Sequence, residues 1–251
     1  MSRASRHGAH AAFYRWLILF GVLLFGAFAA YRQGLLAALF NADESRLSAI
    51  IVALFLLTSL DAGRRAWQLG NELAIAYVTR DKIAAGIRLF ATNDNGQVIL
   101  VNSPDSESFT HHHLLLLANK TKQHDALCPQ DTLLERLENA IGRGHETGWF
   151  IADLMVRLGL LGTVIGFIYM LSSISQVSSI DIQALQQLLG NMSSGMRIAL
   201  YTTLTGLGAG ILLGLQYRLL DQAVDRLMAE IIEVAEVDIT VELRQLLAKP
   251  L

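Results

Sequence analysis

Leu158-Gly-Leu-Leu-Gly-Thr-Val-Ile-Gly-Phe167, in an apolar run that continues to about Ile174, sets three glycines and one hydroxyl into an otherwise greasy span. Gly159, Gly162 and Gly166 remove side chains where a neighbouring helix can approach, while the Thr163 hydroxyl must find a backbone carbonyl or another helix if it lies in lipid. The stretch reads as a membrane helix built for close packing. A second span, Ile198 to Tyr217, carries Thr202, Thr203 and Thr205 and then Gly206, Gly210 and Gly214 at four-residue spacing, which puts these glycines on one helix face. Two such helices joined by a short loop predict a packed bundle with a polar interior, and the glycine face of the second predicts a closed homo-oligomer.

Composition excludes several classes. The chain has 251 residues, of which 53% are hydrophobic and 17% charged, and its apolar residues come in blocks, as in a membrane protein. A net charge of -2 offers no basic excess for nucleic acid. The single cysteine, Cys128, excludes an internal disulfide and a thiolate zinc cluster and reads as an ordinary small residue.

A helix needs roughly 20 apolar residues to cross the hydrocarbon layer. Four stretches qualify or come close: about 16–31, 47–60, 154–174 and 198–217. The second is short, and tilting, local thinning or snorkelling of Arg46 would accommodate it. Arg3, Arg6 and Arg15 precede the first span, Arg64 and Arg65 follow the second, Arg157 opens the third and Arg218 closes the fourth. The positive-inside rule then places both termini in the cytoplasm, and the loop 175–196, free of Lys and Arg, outside. An alternative reading takes the first span as a cleaved secretory signal, with Ala27-Phe28-Ala29 before the cut. The expected architecture is an all-α membrane protein. It comprises an N-terminal helix pair (1–61), a mostly helical cytoplasmic domain (62–153), a second helix pair (154–217) and a long C-terminal helical extension (218–251).

Within the polar segment, Glu72 to Phe90 carries a helical apolar stripe broken around Thr79 to Lys82. Asn93-Asp94-Asn95-Gly96 predicts a turn, Gln97 to Val101 a short strand, and Ser103-Pro104-Asp105-Ser106 its end. A helix restarts from Pro129 with Asp131 as cap, and Gly142, Gly144 and Gly148 are expected to interrupt it before Trp149 and Phe150 enter the membrane interface. Beyond Tyr217 an apolar stripe that includes Leu220, Leu227, Ile231, Val234 and Leu243 requires a partner, either within the chain or in a neighbouring subunit. His111-His112-His113 lacks the spacing of a metal site, since adjacent histidines on a helix point in different directions; no metal or cofactor is expected. Asp153 and Arg157, four apart, predict a helix-stabilising pair at the cytoplasmic lip.

The third and fourth spans contain no Asp, Glu, Lys or His. Hydroxyls such as Thr163, Tyr169, Tyr201, Thr202, Thr203 and Thr205 exchange hydrogen bonds but hold no mobile proton at neutral pH. If the chain conducts protons, the acid comes from another polypeptide.

Leu158 to Gly166 resembles the penultimate-helix motif of the MotA/TolQ/ExbB proton channel family, and Ala199-Leu-Tyr-Thr-Thr-Leu-Thr-Gly-Leu207 resembles its final-helix motif, Ala-Leu-x-x-Thr-x-x-Gly-Leu. The likeness covers about the C-terminal third. It implies that Thr163 and Thr203 face a pore; the nearby hydroxyls of Tyr169, Thr202 and Thr205 are expected to line it as well. It also implies a pentameric ring in the bacterial inner membrane around the helices of a smaller partner similar to MotB, TolR or ExbD, whose membrane Asp carries the proton. Val156 and Leu212 stand where the family commonly has proline. No enzymatic activity is implied. The competing reading is a non-conducting membrane scaffold, in which the same glycines serve packing and the threonines bond back to their own helices.

Overall fold

A computed structural model describes residues 8–43, 45–93, 98–101, 108–124, 130–174, 182–240 and 242–244. The chain is an all-α membrane protein with one small hairpin. Its elements are α1 (Ala11–Arg32), α2 (Leu35–Ala42), α3 (Leu47–Ala84), β1 (Phe90–Thr92), β2 (Val98–Leu100), α4 (Phe109–His124), α5 (Asp131–Ile174) and α6 (Ile182–Glu233), the last continued by a π-helical turn, Val234–Asp238. Among the described residues, four helices, α1, α3, α5 and α6, are long and apolar enough to cross a membrane.

Two compact units divide the chain. One, the apolar unit, takes Trp16–Gly63 and Glu146–Arg218; the other, the polar unit, takes Met1–Arg15, Arg64–His145 and Leu219–Leu251. The apolar unit is pinned by polar contacts as well as by packing. Trp16 of α1 stacks over the bare backbone of Gly63 in α3 and donates through Nε1 to Gln216 Oε1 of α6 at 3.1 Å; Ser59 Oγ of α3 donates to the same oxygen at 2.8 Å. At the start of α3, Asp43 accepts from the Ser48 amide at 2.6 Å and the Ser45 hydroxyl at 2.5 Å, satisfying a helix-end donor. Burial raises the Asp43 pKa, but these hydrogen bonds outweigh it and hold the carboxyl below its ordinary value.

In the polar unit, the stripe beyond Tyr217 finds its partner inside the chain. Ala223, Leu227 and Ile231 pack with Leu69, Leu73 and Ala76 of α3 and with Leu137 and Ile141 of α5; Val234, Ala235, Ile239 and Leu243 pack with the hairpin and with Leu114 and Leu117 of α4. The hairpin is antiparallel, with Phe90 opposite Leu100 and Thr92 opposite Val98.

Four local expectations are corrected. First, α3 is unbroken from Leu47 to Ala84. Thr79 within it donates back to Ile75 O at 2.8 Å, and Arg80 bonds Glu230 at 3.1 Å, Asp238 at 3.5 Å and also Glu233, so these two polar side chains are paired without breaking the helix. Second, the stripe does not stay helical to Phe90. Gly86, at φ 73°, is a left-handed cap; its amide returns to Ile83 O at 2.9 Å and that of Ile87 to Lys82 O at 3.0 Å, the paired bonds that end a helix. Third, Gly142, Gly144 and Gly148 do not interrupt α5. Gly144 and Gly148 mark close approaches instead, the first by the Arg65 guanidinium and the second by the Tyr217 ring. Fourth, the stretch 175–196, expected as a loop, is helical from Ile182 onward. The turn at 93–96, the segment 103–106, Pro129 and Cys128 fall wholly or mostly outside the described residues.

Candidate functional site

The glycines and threonines of the two motifs meet along one antiparallel contact between α5 and α6. From one end to the other, Gly148 meets Tyr217, Trp149 meets Gly214, Ala152 and Val156 meet Gly210, Met155 and Gly159 meet Gly206, Gly162 meets Thr202, and Gly166 meets Gly195 and Ala199. The approach is backbone to backbone. A Cβ added to Gly206 would lie 2.6 Å from Met155 O, one on Gly166 would lie 2.5 Å from Gly195 O, and one on Gly195 would lie 2.6 Å from Gly166 O. Only glycine permits such spacing, as in close-packed membrane helix pairs. Gly214 is different, since its added Cβ would make an ordinary 3.5 Å contact with Trp149.

This geometry alters the basis for expecting an oligomer. Gly206 and Gly210 are covered by α5 of the same chain, so their face is an internal seam. Val156 and Leu212, the two departures from the family pattern, lie in unbroken helix, and the Val156 side chain fills the notch at Gly210, 2.6 Å from where a Cβ would stand.

The hydroxyls divide into two sets. Thr202 is completely buried; its side chain occupies the notch left by Gly162 and its Oγ1 donates back to Ile198 O at 2.9 Å. Thr205 likewise donates to Tyr201 O at 2.8 Å, within its own helix. Thr203 instead reaches across, donating to Gly159 O at 3.1 Å. In an α-helix that same carbonyl accepts the amide of the residue four positions on, which is Thr163. The two threonines of the motifs are thereby brought together at one carbonyl. The Thr163 hydroxyl itself turns back to Leu160 O at 2.5 Å.

Beside the seam an open, apolar groove of about 490 Å³ is lined by Thr163, Phe167 and Met170 of α5 and by Gly195, Met196 and Ala199 of α6. Tyr169 is half exposed and lies outside that lining. Asp153 and Arg157 bond at 2.5 Å on an exposed helix surface. His111 and His113 point into the polar unit, beside Thr79 at 3.3 Å and Gln130 at 3.4 Å, and His112 points out.

Sequence reasoning missed Gly148, Gly195 and Ala199 as seam residues. Their signal is spacing: 195, 199, 202, 206 and 210 follow one helical face, but Gly195 sits beside Ser193 and Ser194 in a stretch that reads as loop. It also missed the buried trio of Trp16, Ser59 and Gln216, whose members lie on three separate helices.

Comparison with known families matches residues 107–233, half of the chain, to the model described as the MotA/TolQ/ExbB proton channel family. No curated protein and no solved structure matches significantly.

Proposed function

The chain belongs to the MotA/TolQ/ExbB proton channel family, and on that premise we propose that it is the ring-forming channel subunit of an ion-driven motor in the bacterial inner membrane. Both termini are cytoplasmic in this reading, by the arginines that flank the spans. Several copies, five by family resemblance, surround the membrane helices of a smaller single-span partner. The observation that carries the proposal is the meeting of Thr163 and Thr203 at Gly159 O in a helix pair whose spans hold no Asp, Glu, Lys or His. Such a wall solvates a charge without supplying one, so the titrating carboxylate belongs to the partner. Its neutralisation and recharging change its affinity for the wall, and relative rotation follows. The membrane potential supplies about 2.3 kcal/mol per elementary charge per 100 mV to bias these steps.

Thr163→Val and Thr203→Val keep shape and remove the hydroxyl. Partner-dependent proton flux in vesicles should fall in both, by the equivalent of about 1–3 kcal/mol in barrier, while the subunits still assemble. Undiminished flux in both variants would refute this wall. A specific observation favours the scaffold reading as the second choice: the hydroxyls of Thr163, Thr202 and Thr205 all bond to carbonyls of their own helices. Under that reading neither substitution changes ion permeability, because there is none to change.

A further inference from the structure

α5 leaves the polar unit after His145 and α6 enters it at Leu219, so His145 and Asp221 sit within three residues of the two crossings. His145 Nδ1 lies 2.9 Å from Asp221 Oδ1, a contact between residues 76 positions apart. The imidazole side chain is 9% exposed and the carboxylate 41% exposed, so water reaches the pair from the aspartate side. Arg65 of α3 is a further charged group at this turn, its guanidinium over the backbone of Gly144. By sequence, Glu146 follows His145 on α5, and Arg218 and Asp225 flank Asp221 on α6.

A neutral imidazole donates one ordinary hydrogen bond from Nδ1 to the carboxylate. A protonated ring donates a charge-assisted bond of roughly twice the strength. Histidine is the side chain that commonly gains its proton between about pH 5 and 8. The contact therefore strengthens on acidification and weakens as pH rises. We propose that His145 and Asp221 form a proton-operated clamp on α5 and α6, which tightens when the surrounding compartment acidifies and slows the helix movements that ion flux requires. Both are positioning residues, since neither belongs to the threonine seam. The clamp's effect on flux rests on the channel reading given above, whereas its pH response does not.

The test uses the full chain in lipid nanodiscs and amide hydrogen exchange corrected for intrinsic rates. Protection of residues 145–150 and 217–223 should rise by roughly threefold to tenfold between about pH 8 and pH 6, the scale of a charge-assisted over a neutral bond. His145→Gln, which retains a donor but cannot gain a proton, and Asp221→Asn, which removes the charge, should both flatten that response. In vesicles with the Asp-bearing partner, with pH lowered equally on both sides and the imposed potential held constant, wild-type flux should fall relative to flux through His145→Gln; an unchanged ratio overturns the clamp's effect on flux. A flat wild-type exchange profile, or a His145→Gln profile that keeps the wild-type slope, overturns the clamp. Absence of flux under every condition overturns the channel reading instead, and the exchange result still decides the clamp.

Discussion

Gly206 and Gly208 lie two positions apart on α6 and have opposite surroundings. A Cβ on Gly206 would stand 2.6 Å from Met155 O and 2.7 Å from Gly159 Cα, whereas one on Gly208 meets nothing within 4 Å. Gly206→Ala should therefore force the helices apart, at a cost of about 1–3 kcal/mol. Gly208→Ala should be neutral or stabilising by up to about 1 kcal/mol, because alanine is the better helix former. Unfolding both variants in detergent checks the pair, and equal destabilisation would mean that α5 and α6 do not touch along this seam. Much at this scale was legible, since glycine in an aliphatic run has few other uses. What sequence could not supply was which helix fills each gap: Trp16 at Gly63 and Tyr217 at Gly148 come from chain positions 47 and 69 residues away.

The hairpin shows how single side chains protect a whole element. Its β1 side is capped by Glu242, whose Oε1 accepts from the amides of Leu89 at 2.7 Å and Phe90 at 3.0 Å; on β2, the Val98 amide donates to Asn119 Oδ1 at 3.3 Å. Otherwise these donors would offer a free strand edge. Glu242→Ala should cost about 1–3 kcal/mol locally and raise amide exchange at residues 89 and 90; unchanged exchange there would show that the cap is dispensable. In α4, burial pushes the His113 imidazole below its ordinary pKa, with the Gln130 contact opposing and the neighbouring His112 adding to the shift. The unfolded chain then takes up a proton below about pH 6.5 that the folded chain resists, so stability is lost as pH falls through that window and regained as it rises. His113→Gln should reduce the drop in melting temperature between about pH 7.5 and 5.5, and a variant as acid-sensitive as wild type would contradict this. At this scale the sequence was less readable. The start of α6 carries a Gln-rich, partly polar face that reads as loop, although Ile182 to Leu189 contains good helix formers. The helical stripe reads on to Phe90, the first residue of β1, because only pairing with β2, across intervening chain, makes Phe90–Thr92 a strand.

For the molecule as a whole, four apolar blocks and two glycine-threonine motifs sufficed to name the family and the helical membrane fold. The assembly of the polar unit was not legible in the same way. It draws on three separated stretches of chain, and the periodicity of the stripe beyond Tyr217 showed only that a partner was needed. The central functional claim concerns where the proton-binding acid resides. It is tested most directly by proton flux into vesicles under an imposed potential, with the purified subunit alone and then with its Asp-bearing single-span partner. Vesicles holding the subunit alone should be proton-tight, and flux should appear when the partner is present; substantial flux from the subunit alone would contradict the account.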